Sequence, residues 1–162
     1  MKTPITIERT FATTPEHLWD LWTTKKGIEA WWGPEGFTVE VLEHDLRAGG
    51  RLHYAMTATA PETVAFMKQT GLPLTNHAHA TFGELAPPRL FTYASLIDFV
   101  PGVAPYNIQN RIDLVPVGNG TKTVTTVEPL HDQEWTDRLV TGRKSQLDKL
   151  ERLIAAEKGG AR

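Results

Sequence analysis

The chain has 162 residues, the size of one domain able to bury a core of its own. Apolar residues make up 40% and charged residues 22%, with a net charge of -2, which argues against a disordered chain and against bulk attraction to nucleic acid or an anionic membrane. The absence of cysteine excludes disulfides and thiolate metal sites and fits a reducing compartment, so the expected location is the cytoplasm.

The first segment, Met1 to Glu8, has no long apolar stretch, so neither a signal peptide nor a membrane-inserting segment is expected. Residues 4–11 alternate and predict a first strand. Thr14-Pro15-Glu16 reads as a helix start, because Thr14 can cap and Pro15 suits the first helical position, where no N–H partner is needed. Leu18, Leu21 and Trp22 then share one helical face. Thr24 can cap a second short helix that buries Ile28, Trp31 and Trp32, and Gly33-Pro34-Glu35-Gly36 forces a turn.

Beyond that turn the period changes to two. Strands are predicted over 37–46 and 51–57, joined at Gly49-Gly50 as a hairpin. Residues 58–76 are irregular, with room for one helix over 61–70 that ends at Gly71. Four more strands follow over 77–85, 90–98, 106–115 and 122–128, with turns at Pro87-Pro88 and Gly118-Asn119-Gly120. The last element is a long helix over about 132–157, with Trp135, Leu139, Leu147, Leu150 and Ile154 on its apolar stripe. Residues 1–158 form one domain, and 159–162 form a tail.

This order gives an α+β domain in which an antiparallel meander of about seven strands is covered by one long amphipathic helix. A sheet of that kind twists and curls, leaving space between itself and the helix. Side-chain alternation predicts what faces that space. Leu52, Tyr54 and Met56 share one face of their strand. Ala78, Ala80 and Phe82 continue it, followed by Phe91, Tyr93, Ser95 and Ile97, and then by Ile108, Asn110, Ile112 and Leu114. The wall is mainly apolar, with Tyr54, Tyr93, Ser95 and Asn110 as its polar groups, the composition of a small-molecule pocket. Each of these polar groups, taken singly, also fits a filled core in which it bonds to backbone.

Arg143 falls between Leu139 and Leu147 on the stripe of the last helix, and a guanidinium there needs a partner. An acidic group on a ligand is one candidate; solvent, Asp98 or Asp113 is the other. Trp19, Trp22, Trp31 and Trp32 read as core, with Trp32 next to the Gly33-Pro34 turn at a cavity mouth. Segment 58–76 reads either as a lid, with Phe66 and Met67 pointing into the opening, or as a surface loop. His53, His77 and His79 can share one strand face, a zinc-like set, but alternation puts them outside, so no metal and no other cofactor is expected. No nucleophile motif, phosphate loop or paired carboxylate spacing is present.

Three blocks carry a resemblance: Phe11 through Trp22, Trp31-Trp32-Gly33-Pro34-Glu35-Gly36-Phe37, and Asp45-Leu46-Arg47-Ala48-Gly49-Gly50-Arg51. With Pro87-Pro88-Arg89-Leu90, they resemble the START-like (SRPBCC) superfamily, in the branch of homologues of the activator of the 90-kDa heat-shock-protein ATPase. The resemblance implies the helix-grip (START/Bet v-like) fold, with two short helices after the first strand. It also implies a cavity for hydrophobic molecules, though no single activity. The chain departs from the common pattern in its longer 58–76 segment and in Gly142-Arg143, where many relatives have Gly-Trp.

The leading functional expectation is binding of a small hydrophobic or amphipathic molecule, acidic ones included. Its cavity set is Trp32, Tyr54, Met56, Phe66, Met67, Phe82, Tyr93, Ser95, Asn110, Leu139, Arg143 and Leu147. A cyclase- or hydratase-like enzyme, with Tyr93, Asn110 and Arg143 polarising a carbonyl, is the second. A co-chaperone-like interaction module ranks last. The partner expected is a small molecule, with no nucleic acid and no membrane insertion. A homodimer through an exposed edge strand is left open.

Overall fold

A computed structural model describes residues 3–160 of the chain, with side chains described to residue 157. Strand β1 (Ile5–Phe11) leads into helices α1 (Pro15–Thr23) and α2 (Lys25–Trp31). The meander follows as β2 (Phe37–His44), β3 (Arg51–Ala58), helix α3 (Pro61–Gln69), β4 (Thr75–Ala86), β5 (Leu90–Ile97), β6 (Tyr106–Val117) and β7 (Gly120–Val127). Helix α4 (Gln133–Gly160) completes the chain. Its backbone takes in Gly159 and Gly160 of the expected tail, while Ala161 and Arg162 lie outside the described residues.

All seven strands form one antiparallel sheet in the order β1-β7-β6-β5-β4-β3-β2. The first strand pairs with the last, Ile5 opposite Val127 and Phe11 opposite Thr121. Helices α1 and α2 therefore carry the chain from one edge of the sheet to the other. Register breaks between Val41 and Glu43 in the edge strand β2 and between Phe82 and Leu85 in the interior strand β4 bend the sheet. The architecture is the helix-grip arrangement, an open curved sheet on a long C-terminal helix.

The β2–β3 connection differs from expectation. Strand β2 stops at His44, so six residues, not a tight two-glycine turn, join the strands. Asp45 N–H donates to the Arg51 carbonyl and Gly50 N–H to the Arg47 carbonyl, folding the segment into successive small turns. Gly49, at φ +82°, supplies the left-handed position this requires.

The α1–α2 corner rests on caps and on one close backbone approach. Thr14 Oγ accepts from His17 N–H at 3.1 Å, and Thr24 Oγ from Gly27 N–H at 3.0 Å. A Cβ on Gly27 would stand 2.5 Å from the carbonyl oxygens of Asp20 and Leu21, so only glycine lets α2 fold back so tightly on α1. Trp31 Nε1 donates to the Leu21 carbonyl at 2.7 Å, satisfying an acceptor in the last turn of α1. The Trp22 ring stands edge-on to Trp31 with centroids 4.4 Å apart.

Helix α4 starts where Asp132 Oδ1 accepts from Trp135 N–H at 2.8 Å. It buries Leu147, Leu150 and Ile154 against a core that includes Ile7, Phe11, Trp22, Trp31, Phe82, Phe91 and Ile112. Nearer its start, Trp135 and Leu139 pack on a second cluster of Ile97, Val100, Ile108, Val127 and Leu130. Ile5 packs on both clusters, and the site opens where members of the two face each other, Trp32 and Tyr93 on one side and Ile97 and Ile108 on the other.

Candidate functional site

A cavity of about 270 Å³ lies where the inner face of the sheet, the Trp31-Trp32-Gly33-Pro34 block and α4 come together. Its walls include Trp32, Tyr54, Met56, Tyr93, Ser95 and Ile108, with Leu139, Gly142 and Arg143 contributed by α4. Pairing places these side chains. Tyr54 stands opposite Ala78, Ala80 opposite Ser95, and Tyr93 opposite Asn110, so one face of β3, β4, β5 and β6 presents small and aromatic residues in turn. The alanines leave the space, and the rings of Trp32, Tyr54 and Tyr93 bound it. Trp32 lies edge-on to Tyr54 and tilted over Tyr93, with centroids 5.6 Å apart in both pairs.

Arg143 is half-buried, and its guanidinium donates to Asn110 Oδ1 at 2.6 Å. Asn110 is 1% exposed, and its amide is oriented by its other bonds. Nδ2 donates to Ser95 Oγ at 3.0 Å and to the Tyr93 and Ile108 carbonyls at 3.3 Å, which turns Oδ1 toward Arg143. Arg143 makes no ion pair among the described residues; Asp113 is bound by Arg111 at 2.9 Å on the outer face. Burial holds the Tyr54 phenol well above its usual range, the neighbouring Tyr93 adds to this, and Arg143 opposes it. Tyr54 therefore stays protonated.

The sequence missed how the aromatic block is fixed to α4. Gln146 Nε2 donates to the Trp32 carbonyl, and Lys149 Nζ donates to the carbonyls of Gly33 and Phe37 at 3.3 Å. Burial of its stem lowers the Lys149 pKa. Arg152 reaches Glu35 on the same turn. Gln146 and Lys149 are three apart, as helical neighbours are, but nothing local announces that two polar side chains will close loop carbonyls more than 100 residues away.

Of the expected cavity set, Trp32, Tyr54, Met56, Tyr93, Ser95, Leu139 and Arg143 line the space together. Asn110 lies behind Arg143 as its support. Phe82 and Leu147 belong to the packed core, sealed by neighbouring rings and leucines. Phe66 and Met67 do not reach the cavity. Helix α3 sits against the Gly33–Gly36 turn, where Thr59 and Ala60 donate to the Gly36 carbonyl, and this leaves Phe66 58% exposed with Met67 buried beneath the helix. The opening is bordered instead by Phe99 and Arg138, which meet on Trp135: the Phe99 ring is 5.8 Å from it and the Arg138 guanidinium 4.6 Å.

The histidines gather on the outer face, as alternation predicts. His53 Nε2 lies 2.8 Å from His77 Nδ1, and the His53 ring stacks on His79 at 4.3 Å. Among the described residues, no three donors are placed to hold a metal ion. Partial burial, then His79 and His77, push the His53 pKa below its ordinary 6.5, while Glu43 pulls the other way. Between those two values the unfolded chain binds a proton that the folded chain refuses, so stability falls as pH drops from 6.5 toward the folded value. We expect urea midpoints to decline over that window and His53→Gln to flatten the decline. An unchanged slope in the variant would place the effect elsewhere.

This geometry can be set beside known proteins. The family model described as activator of Hsp90 ATPase homolog 1-like protein matches residues 12–155. The chain belongs to that family. Among curated proteins none matches this activator-homologue chain. Its fold is shared by protein CV1439 from Chromobacterium violaceum, with TM-score 0.75 and 22% identity over 93% of this chain and 96% of that one. Protein Ms6760 from Mycobacterium smegmatis follows at TM-score 0.73 and 20% identity, over 96% and 93%. The AHSA1 protein from Silicibacter pomeroyi has TM-score 0.71 and 22% identity, over 96% and 99%. At these identities the likeness concerns the fold. No helix among the described residues of this family member is long and apolar enough to cross a membrane.

Proposed function

We propose that this family member binds a small hydrophobic or amphipathic molecule in the cavity between its sheet and α4. The observation that carries the reading is the unfilled space of about 270 Å³ lined by members of both core clusters. Protein interiors are close-packed, and an apolar void of this size forfeits the contacts its lining would otherwise make. A ligand restores them. The wall is aromatic and aliphatic with few polar groups, as binding pockets are. The proposed setting is the cytoplasm, which a cysteine-free chain fits.

Gly142 offers a direct test. It lies within α4 on the cavity wall, and a Cβ there would meet nothing within 4 Å. Glycine in a helix interior costs about 1 kcal/mol relative to alanine. Gly142→Leu should therefore fold at least as stably as the parent while occupying ligand space. With 2-naphthol as a neutral probe, read by quenching of the tryptophans in the wall, the parent should bind saturably. The variant should bind at least about tenfold more weakly, a loss of about 1.4 kcal/mol. Equal binding by both would place the probe outside this cavity, and native mass spectrometry of the purified chain would then have to find its bound molecule elsewhere.

A further inference from the structure

The size of the cavity and the chemistry of its lining together narrow the ligand class, on the reading that the cavity is a binding site. About 270 Å³ equals the bulk volume of roughly nine waters, or room for roughly ten to thirteen non-hydrogen atoms at organic packing density. That lies just below the range of sites for drug-sized molecules, which favours a compact ligand of one or two rings over a long acyl chain. The lining narrows the class further. Trp22, Trp31, Trp32, Tyr54, Tyr93 and Phe99 all contribute, giving a planar ring edge and face partners on several sides.

Among the polar groups of the lining, the charged and unpartnered ones are donors. Arg143 carries a full charge in a half-buried position, yet its protein partner is a neutral amide oxygen. No Asp or Glu lines the cavity among the described residues, so nothing there neutralises it. Among the described residues, Trp22 Nε1 and Trp32 Nε1 are the two buried side-chain polar atoms left without a partner, and both belong to lining residues. An indole N–H can only donate, as can a guanidinium. Tyr54, kept protonated, is a further donor beside Arg143. A wall that offers donors and one uncompensated positive charge is complementary to a ligand that brings acceptors and a negative charge.

We propose that the cavity takes a compact aromatic monocarboxylate of roughly ten to thirteen non-hydrogen atoms, its ring packed against Trp32 and Tyr93 and its carboxylate bound by Arg143. Asn110 is the positioning residue: its amide, held by Ser95 and two carbonyls, fixes one edge of the guanidinium and leaves the remaining donors to the ligand.

The test uses the full chain and four probes: phenylacetate, its uncharged isostere phenylacetamide, palmitate, and 2-naphthol. Binding is followed by tryptophan quenching and calorimetry at pH 7. We expect phenylacetate to bind at least about tenfold more tightly than phenylacetamide, a preference that charge-assisted bonding to a single guanidinium can supply. Palmitate should show no saturable binding. Arg143→Gln should cut phenylacetate affinity at least about tenfold while leaving phenylacetamide within about twofold, and Arg143→Lys should keep part of the preference. Equal affinities of the parent for acid and amide would overturn the carboxylate assignment. Tighter binding of palmitate than of phenylacetate would overturn the size limit. In either case, saturable 2-naphthol binding would leave the cavity reading standing; failure of all four probes would take that reading down with the proposal.

Discussion

Trp31→Ala should cost about 3–5 kcal/mol of folding stability, the range for removing a large aromatic side chain from a core. Trp31 is 2% exposed and sits at the junction of α1, α2 and the cavity wall. Its ring meets Trp22 edge-on at 4.4 Å and Trp32 at 6.4 Å, so its loss opens a void between two neighbours that themselves line the site. Its N–H also leaves the Leu21 carbonyl, an acceptor at the end of α1. The rigid corner at Gly27 prevents α2 from sliding in to fill the gap, because the backbones already touch there. A loss of this size is a large share of the 5–15 kcal/mol that holds a typical domain together. Urea denaturation followed by fluorescence of the remaining tryptophans measures it. Trp31→Phe separates the contributions: it keeps most of the packing and should cost about 1–2 kcal/mol, largely for the unpaired carbonyl. A cost below 1 kcal/mol for the alanine variant would show that the aromatic cluster is looser than its geometry implies.

Asn110→Leu is the second large effect. The two side chains share a branched four-atom skeleton, but leucine is bulkier, so at this buried position the exchange adds some crowding to the loss of polarity. Asn110 is 1% exposed and spends its whole side chain on partners: Arg143 through Oδ1, and Ser95, Tyr93 and Ile108 through Nδ2. Leucine returns none of these bonds. The exchange leaves Arg143 in the cavity wall without its one acceptor among the described residues, and a half-buried charge without a partner is the costly part. We expect about 2–3 kcal/mol, read from the denaturant midpoint with an unchanged slope. Ser95→Ala provides the comparison: it removes one acceptor of the same amide while keeping the Arg143 contact, and should cost about 1 kcal/mol. If Asn110→Leu proved as mild as Ser95→Ala, the Arg143–Asn110 bond would carry little weight in holding the guanidinium.

Which side chains face inward is legible because the strand period is strict. Once Leu52, Tyr54 and Met56 were taken as the inner face, each partner strand followed by alternation, and Tyr93, Ser95, Ile108 and Asn110 fell where the structure has them. The same rule explains why Asp113, one expected partner of Arg143, does not meet it. Asp113 is an odd step from Asn110 and shares the outer face with Arg111, which binds it. Helix α3 was less legible. Nine residues with apolar groups at Val64, Phe66 and Met67 define no clear face, and whether a short helix covers a mouth or a sheet edge depends on the turn it rests against. Contact with the Gly36 carbonyl decided that, through a pairing the local pattern does not encode.

Periodicity, caps and glycine placement belong to each segment alone, and they were enough to determine the seven strands, the paired short helices, the long closing helix, and the position of Arg143 on its buried side. They were enough because each reflects the geometry of a few neighbouring residues. Only tertiary structure could decide that Arg143 meets an amide oxygen and, among the described residues, no carboxylate, that Gln146 and Lys149 hold the aromatic turn, and that a space of about 270 Å³ is left between sheet and helix. A void is a difference between the volume the backbone encloses and the volume the side chains fill, and that difference exists only once every element is in place.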